Sequence, residues 1–211
     1  MFSLQSLIRK HGYPDAIVDH WGDSNFQYAV WGFESIFVCF ENKYTINGKS
    51  YFGSPLDAWQ AWIDNCKLNS TFISAVGFIS YDFKNILFPH IQFKKQNTSV
   101  PLIWFGKPKI VREFTNDINS DYIGHKNILN QIKDIPNTKI YAQDINKIKY
   151  YLERGDVYQI NYTHPKVFTN SNNPCDTYMA IRNKAKPLNG YYINAGKQHI
   201  LSFSPERFFR T

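Results

Sequence analysis

Tyr44-Thr45-Ile46-Asn47-Gly48-Lys49-Ser50-Tyr51-Phe52 carries the decisive local signal. Asn-Gly suits a two-residue hairpin turn because both of its central positions need positive φ, and here aromatic and β-branched residues flank it. The stretch predicts two antiparallel strands. Gly48-Lys49-Ser50 also resembles the tail of a phosphate-binding loop, but that loop needs an earlier glycine where this chain has Lys43. The turn is the better reading.

Upstream, Phe26-Gln27-Tyr28-Ala29-Val30-Trp31 and Ile36-Phe37-Val38-Cys39-Phe40 flank Gly32, so residues 16–41 extend the hairpin into an antiparallel meander. Before it, Leu4, Leu7 and Ile8 follow Ser3 at helical spacing and stop at Gly12, which predicts a short helix. Downstream, Ser54-Pro55-Leu56-Asp57 combines a cap, a first-turn proline and an acid. A helix is expected from there to about Lys67, burying Leu56, Trp59 and Ile63. Residues 72–81 and 102–114 read as further strands, the second broken at Gly106-Lys107-Pro108.

Residues 115–139 are polar and rich in Asn, Asp and Lys, the composition of a linker or variable loop. Beyond them, Ile145, Ile148 and Leu152 mark a helix that closes at Gly155. Residues 157–163 alternate as a strand, with Tyr158, Ile160 and Tyr162 on one face. Asn173-Pro174 opens a helix through Tyr178 and Ile181, and two strands, residues 191–194 and 199–203, turn around Gly196. Helices interrupting a mostly antiparallel sheet make an α+β protein. The expected organisation is a sheet-rich region at 1–114, a linker or loop at 115–140 and a further region at 141–211.

The bulk figures are consistent with this. Hydrophobic residues at 43% and charged residues at 19% give a globular balance, too apolar for a disordered chain. The net charge of +7 attracts anions of any kind and selects none of them. Three separated cysteines, Cys39, Cys66 and Cys175, form neither a disulfide framework nor a zinc knuckle, which fits a reducing cytoplasm. The N-terminus lacks the order of charges of a secretory signal and no apolar run reaches membrane-spanning length, so no membrane association is expected. Gly77-Phe78-Ile79-Ser80-Tyr81 lacks the preceding basic residue of an RNA-binding strand, and nucleic-acid binding is not expected. The six histidines include no i, i+4 pair on a helix, and no metal-ligating residue is singled out. No nucleophile elbow or cysteine-nucleophile signature occurs.

Specificity enters with Gly155-Asp156-Val157-Tyr158-Gln159-Ile160-Asn161-Tyr162-Thr163 and, later, Ser202-Phe203-Ser204-Pro205-Glu206-Arg207-Phe208. In sequence, order and separation these are similar to two consecutive signatures of chorismate-binding enzymes. Tyr178-Met179-Ala180-Ile181-Arg182, Pro187-Leu188-Asn189 and the upstream Gly77-Phe78-Ile79-Ser80-Tyr81-Asp82 also resemble the family, so the likeness covers nearly the whole chain. A helix ending at Gly155 explains that glycine without any chemistry. It does not require Tyr158, Gln159 and Asn161 together. Within the family, Tyr158 and Asn161 are closer to aminodeoxychorismate synthase component I than to anthranilate synthase, and Ala16-Ile17-Val18-Asp19-His20-Trp21 departs from the effector motif of the latter.

The resemblance implies an anthranilate synthase component I-like fold, a two-layer antiparallel sheet assembly with helices, incomplete in this chain. It implies an enzyme that converts chorismate and ammonia to 4-amino-4-deoxychorismate for para-aminobenzoate and folate synthesis. Gly155, Asp156, Tyr158, Gln159 and Asn161 would form the motif scaffold. Glu206 would be the catalytic general acid, protonating the C4 hydroxyl so that it leaves as water. Ser204-Pro205-Glu206 also reads as a helix start with a serine cap. Pro187, Leu188 and Asn189 fall where relatives line a tryptophan pocket, although a proline-containing loop accounts for them equally well.

The family also implies Mg²⁺, a glutaminase subunit that supplies ammonia, and a lysine nucleophile in a Pro-Ile-Lys-Gly-Thr motif. That motif does not occur in these 211 residues. The sequence therefore reads as an N-terminal portion, inactive without a C-terminal portion that carries the lysine and the metal ligands. An anthranilate synthase fragment and a non-catalytic tryptophan-binding or interaction module are the alternatives.

Overall fold

The computed structural model describes residues 2–20, 27–41, 43–68, 73–93, 99–115, 130–134 and 137–207. The elements in chain order are α1 (Leu4–His11), β1 (Ala16–His20), β2 (Gln27–Phe40), β3 (Lys43–Ile46), β4 (Lys49–Tyr51), α2 (Pro55–Leu68) and β5 (Val76–Ile79). There follow α3 (Lys84–Leu87), β6 (Ile103–Glu113), β7 (Asn130–Asp134), α4 (Thr138–Glu153), β8 (Lys166–Thr169), α5 (Pro174–Ala185), β9 (Asn189–Asn194) and β10 (His199–Ser204). The chain forms two compact units, Met1–Ile123 with Pro174–Thr211, and Gly124–Asn173.

The first unit is organised by β2. Its 14 residues pair with β6 along one edge, while β1 and β3 share the other edge, one at each end. From β1 the sheet continues through β9 to β10, from β3 to β4, and from β6 to β5, so that these strands all pair antiparallel and the sheet stays open, apart from an isolated parallel bridge between Ser3 and Thr115. Asn47 and Gly48 take φ of 52° and 80°, the turn that the hairpin needs.

Gly32 does not split β2. It adopts φ of 70°, its N–H donates to Asp15 Oδ2 at 2.7 Å, and a bulge between Phe33 and Ser35 restores the pairing. The same bulge explains why β6 runs unbroken through Gly106-Lys107-Pro108, where the sequence predicts an interruption. Pro108 lies opposite Phe33 at the irregularity, where a missing donor is tolerated, and a Cβ on Gly106 would collide with the Phe33 ring.

Three packed clusters fill this unit. On one face of the sheet, α1 and α5 bring Leu4, Leu7, Cys175, Tyr178 and Met179 onto Ile17, Ala29, Trp31 and Tyr192. Further along, α2 packs Trp62 and Cys66 against Phe37, Cys39 and Ile103. Leu56 is exposed, contrary to the sequence reading, whereas Trp59 and Ile63 pack against this cluster as expected. The stripe 59-62-63-66 keeps i, i+3, i+4, i+7 spacing, and Leu56 falls a turn before it. The other face gathers Ala16, Val30, Val76, Trp104 and Ile193 into one cluster, with residues from β5 at one end of the sheet and β9 near the other.

The second unit contains α4 and the β7–β8 pair. The α4 terminus is a Schellman arrangement: Gly155 N–H bonds to Leu152 C=O, Asp156 N–H to Tyr151 C=O, and Gly155 takes φ of 74°. Residues 157–163 are not a strand, which corrects the sequence reading. Alternation permits a strand but a ladder requires a partner, and among the described residues none pairs with this segment. A strand, β7, lies within the polar stretch 115–140, because pairing with β8 supplies ladder bonds that side-chain polarity does not reveal. Residues 116–129, 135 and 136, and the predicted strand residues Phe26 and Phe72, lie outside the described residues.

Candidate functional site

The face bearing Ala16 and Ile193 opens into a cleft of about 630 Å³. Strand periodicity aims alternate side chains at it. In β9 these are Asn189, Tyr191 and Ile193, and their partners in β10, Ser204, Ser202 and Ile200, share the face by register. Val76 and Gly77 of β5 and Phe105 of β6 line the cleft from the far side. A side chain on Gly77 would strike the Trp104 backbone and the Phe105 ring, so glycine lets β5 lie close there.

Glu206 and Arg207 line the same cleft and are exposed. The bend that carries Glu206 is fixed by Ser204, whose hydroxyl donates to Glu206 C=O at 2.6 Å and accepts from Glu206 N–H at 3.3 Å. This is the local geometry that the capping reading of Ser204-Pro205-Glu206 requires. Phe208 and the residues after it, where a helix would continue, lie outside the described residues. The two readings of the motif are compatible: a serine-locked bend presents a carboxylate to a cleft.

The candidate tryptophan residues separate. Helix α5 ends at Ala185, Lys186 takes φ of 43°, and Pro187 is buried as the chain turns into β9. Leu188 is exposed, and neither it nor Pro187 lines the cleft. Asn189 does line it. That residue is only 3% exposed, its Oδ1 lies 3.2 Å from His20 Nδ1, and its Nδ2 has no hydrogen-bond partner among the described residues. A buried amide donor left in this way is costly unless a ligand or water accepts from it. The cleft thus presents apolar walls, an amide donor, a carboxylate and a guanidinium.

Behind the cleft, on the helix-covered face, Asp19 accepts a hydrogen bond and ion pair from Arg182 Nε, joining β1 to α5 across 163 residues of sequence. Both are buried. Tyr178 of α5 lies alongside, with its phenol pKa pushed up by burial and then by the Asp19 charge. Burial likewise raises the Cys175 thiol to about 12 and the Cys39 thiol to about 11, which makes both poor nucleophiles. Sequence reading missed the Asp19–Arg182 pair. Its traces were an aspartate directly after the apolar run Ala16-Ile17-Val18 and an arginine at i+7 in the buried stripe Cys175, Tyr178, Met179, Arg182.

In the second unit, Gly155 and Asp156 terminate α4, and Asp156 Oδ2 lies 3.4 Å from Arg154 Nε. Tyr158, Gln159 and Asn161 are exposed, Tyr158 completely. Tyr162 anchors the segment to α4, its hydroxyl donating to Asp144 at 2.8 Å and its ring meeting Tyr141 edge-on at 5.7 Å.

Among the described residues no three His, Cys, Asp or Glu side chains converge to hold a metal ion. No helix among them is long and apolar enough to cross a membrane. No curated protein matches the chain. Residues 22–211 match the family described as chorismate binding enzyme, a span that includes β5, β6, β9 and β10 of the cleft but not β1, together with the Asp156 segment and the Ser-Pro-Glu bend. On that match, the chain belongs to the chorismate binding enzyme family.

Proposed function

We propose that the chain is part of an aminodeoxychorismate synthase component I, which converts chorismate and ammonia to 4-amino-4-deoxychorismate and water. The observation that carries this reading is the position of Glu206, held by Ser204 at the edge of a cleft that also contains Asn189 and Arg207. In the proposed reaction Glu206 gives its proton to the C4 hydroxyl of chorismate as the C–O bond breaks, turning a poor leaving group into water. The Asn189 amide and the Arg207 guanidinium suit a substrate carboxylate. Exposed as it is in the free chain, Glu206 would gain from substrate binding the burial that acid catalysts use.

The remaining chemistry belongs to groups outside these 211 residues. The resemblance calls for a lysine that attacks C2, for a C-terminal portion that carries it, and for a glutaminase subunit that delivers ammonia. Mg²⁺ would be held by that same portion, and no step on the present residues runs through it. The open antiparallel sheet, with β10 paired on one edge only among the described residues, fits one layer of a two-layer anthranilate synthase component I-like assembly.

A second reading rests on Asn189. An aromatic amino acid could place its ring among Ile73, Val76 and Ile193, its carboxylate on the Asn189 amide and its ammonium on Glu206, which would make the cleft a tryptophan-binding module. Product analysis separates the two. The 211-residue chain is expected to give no product from chorismate, ammonium and Mg²⁺ alone, and 4-amino-4-deoxychorismate once a portion carrying the lysine motif is added. Turnover without that portion would contradict the assignment of the lysine, and anthranilate as product would move the chain to the other branch. Saturable tryptophan binding lost in Asn189→Leu, with no complemented turnover, would favour the second reading.

A further inference from the structure

Three buried oxygen atoms on the helix-covered face are left without hydrogen bonds by the contacts described above. Asp19 Oδ1, Gln27 Oε1 and the Tyr178 hydroxyl have no partner among the described residues, and their side chains are 1%, 2% and 0% exposed. Backbone pairing brings them together. Asp19 faces Gln27 across the β1–β2 ladder and Gly190 across the β1–β9 ladder. The Tyr178 hydroxyl lies 2.6 Å, and Asp19 Cβ 3.4 Å, from the point where a Cβ on Gly190 would sit. Glycine at that position keeps open the space into which the hydroxyl points.

The chemistry of the three atoms defines what can join them. A carboxylate oxygen and an amide oxygen accept hydrogen bonds, and a phenol can donate one. Burial and the neighbouring Asp19 charge keep the Tyr178 phenol protonated, so that its hydrogen is available. The matching guest has two donors and one acceptor and is small enough for a closed interior, which describes a water molecule making about three hydrogen bonds. A cation is a poorer match, because the Arg182 guanidinium already lies against the same carboxylate.

We propose that Asp19, Gln27 and Tyr178 form a binding site for one internal water, which ties β1, β2 and α5 together behind the wall of the cleft. Asp19 stands between Val18 and His20, whose register places them on the cleft side with Tyr191 and Asn189. The water therefore secures from behind the strand that shapes the candidate site, and it does so whatever the reaction.

Two measurements on the 211-residue chain test this. A high-resolution crystal structure should show one density peak within about 3.2 Å of all three oxygens. Oxygen-17 water relaxation dispersion should count one fewer long-lived internal water in a Gln27→Leu/Tyr178→Phe double variant than in the wild type, with circular dichroism confirming that both are folded. Should the double variant fail to fold, Gln27→Met takes its place with the same expected loss. An unchanged count, a direct hydrogen bond from Tyr178 to Asp19 or Gln27 with no density between them, or an anomalous rubidium peak at the node would each overturn the proposal.

Discussion

Val18, Tyr191 and Ser202 form a row across one face of β1, β9 and β10, and one residue further along each strand Asp19, Gly190 and Phe203 form a row across the other. The first row borders the cleft, and Tyr191 remains 38% exposed. The second is roofed by α5, where Tyr178 stacks on Phe203 at 5.2 Å and Arg182 pairs with Asp19. Because side chains alternate with a period of two, the same three strands hold a helix on one side and a ligand-sized space on the other. Stability and binding should therefore be separable by substitutions one residue apart.

The largest expected effect is on the roofed face. Arg182→Met leaves the Asp19 carboxylate buried without its counter-charge and should cost about 3–5 kcal/mol, read as a lowered urea midpoint. A loss below about 1 kcal/mol would mean that the pair is solvated. Gly190→Ala, in the same row, puts a methyl group 2.6 Å from the Tyr178 hydroxyl and 3.3 Å from Pro187. Overpacking of this kind should cost about 1–3 kcal/mol.

A smaller effect should appear in alkali. Tyr178 and Tyr192, both roofed, have raised pKa values through burial, and Tyr13 is raised from 10.0 to about 12, chiefly by its hydrogen bond to Asp176. The unfolded chain then loses these protons first, so the contribution of the phenols to stability should be level below pH 10 and fall as pH rises above it, adding to the fall that the buried Cys39 and Cys175 thiols begin near pH 9.0. Tyr13→Phe should shallow that fall, and a flat urea midpoint from about pH 8 to about pH 11 would contradict the burial of these phenols. The smallest effect belongs to the cleft side, where Ser202→Ala should shift stability by less than about 0.5 kcal/mol.

Elements whose cause is local were legible in the sequence. Asn47-Gly48 demands positive φ at two positions, Ser3 caps α1 through Ser6 N–H, and Gly155 closes α4, so each could be read from a few adjacent residues. What depends on a distant partner could not. Residues 157–163 alternate like a strand but pair with none among the described residues, and β7 looks like a loop until β8 is found beside it. Leu56 has the right polarity for burial but sits one turn ahead of the stripe that faces the sheet.

The candidate site divides in the same way. Glu206 was legible as a motif residue, because Ser-Pro-Glu is a short pattern, and Asn189 as one member of a three-residue segment. That Asn189 alone of its segment lines the cleft follows from the strand beginning at that residue, which puts Leu188 on the outside. Asp19 and Arg182 were illegible as a pair, since each stands where an apolar stretch gives way to polar residues and only the β1–α5 packing brings them together.

The central claim is that Glu206 acts as the acid at the cleft, and the amination rate of the complemented enzyme with Glu206→Gln tests it most directly. The account predicts that turnover of chorismate with ammonia falls at least about 100-fold, the usual range for losing a general acid, while the urea midpoint stays within about 0.5 kcal/mol of the wild type. Turnover retained within about a factor of two of wild type would contradict it.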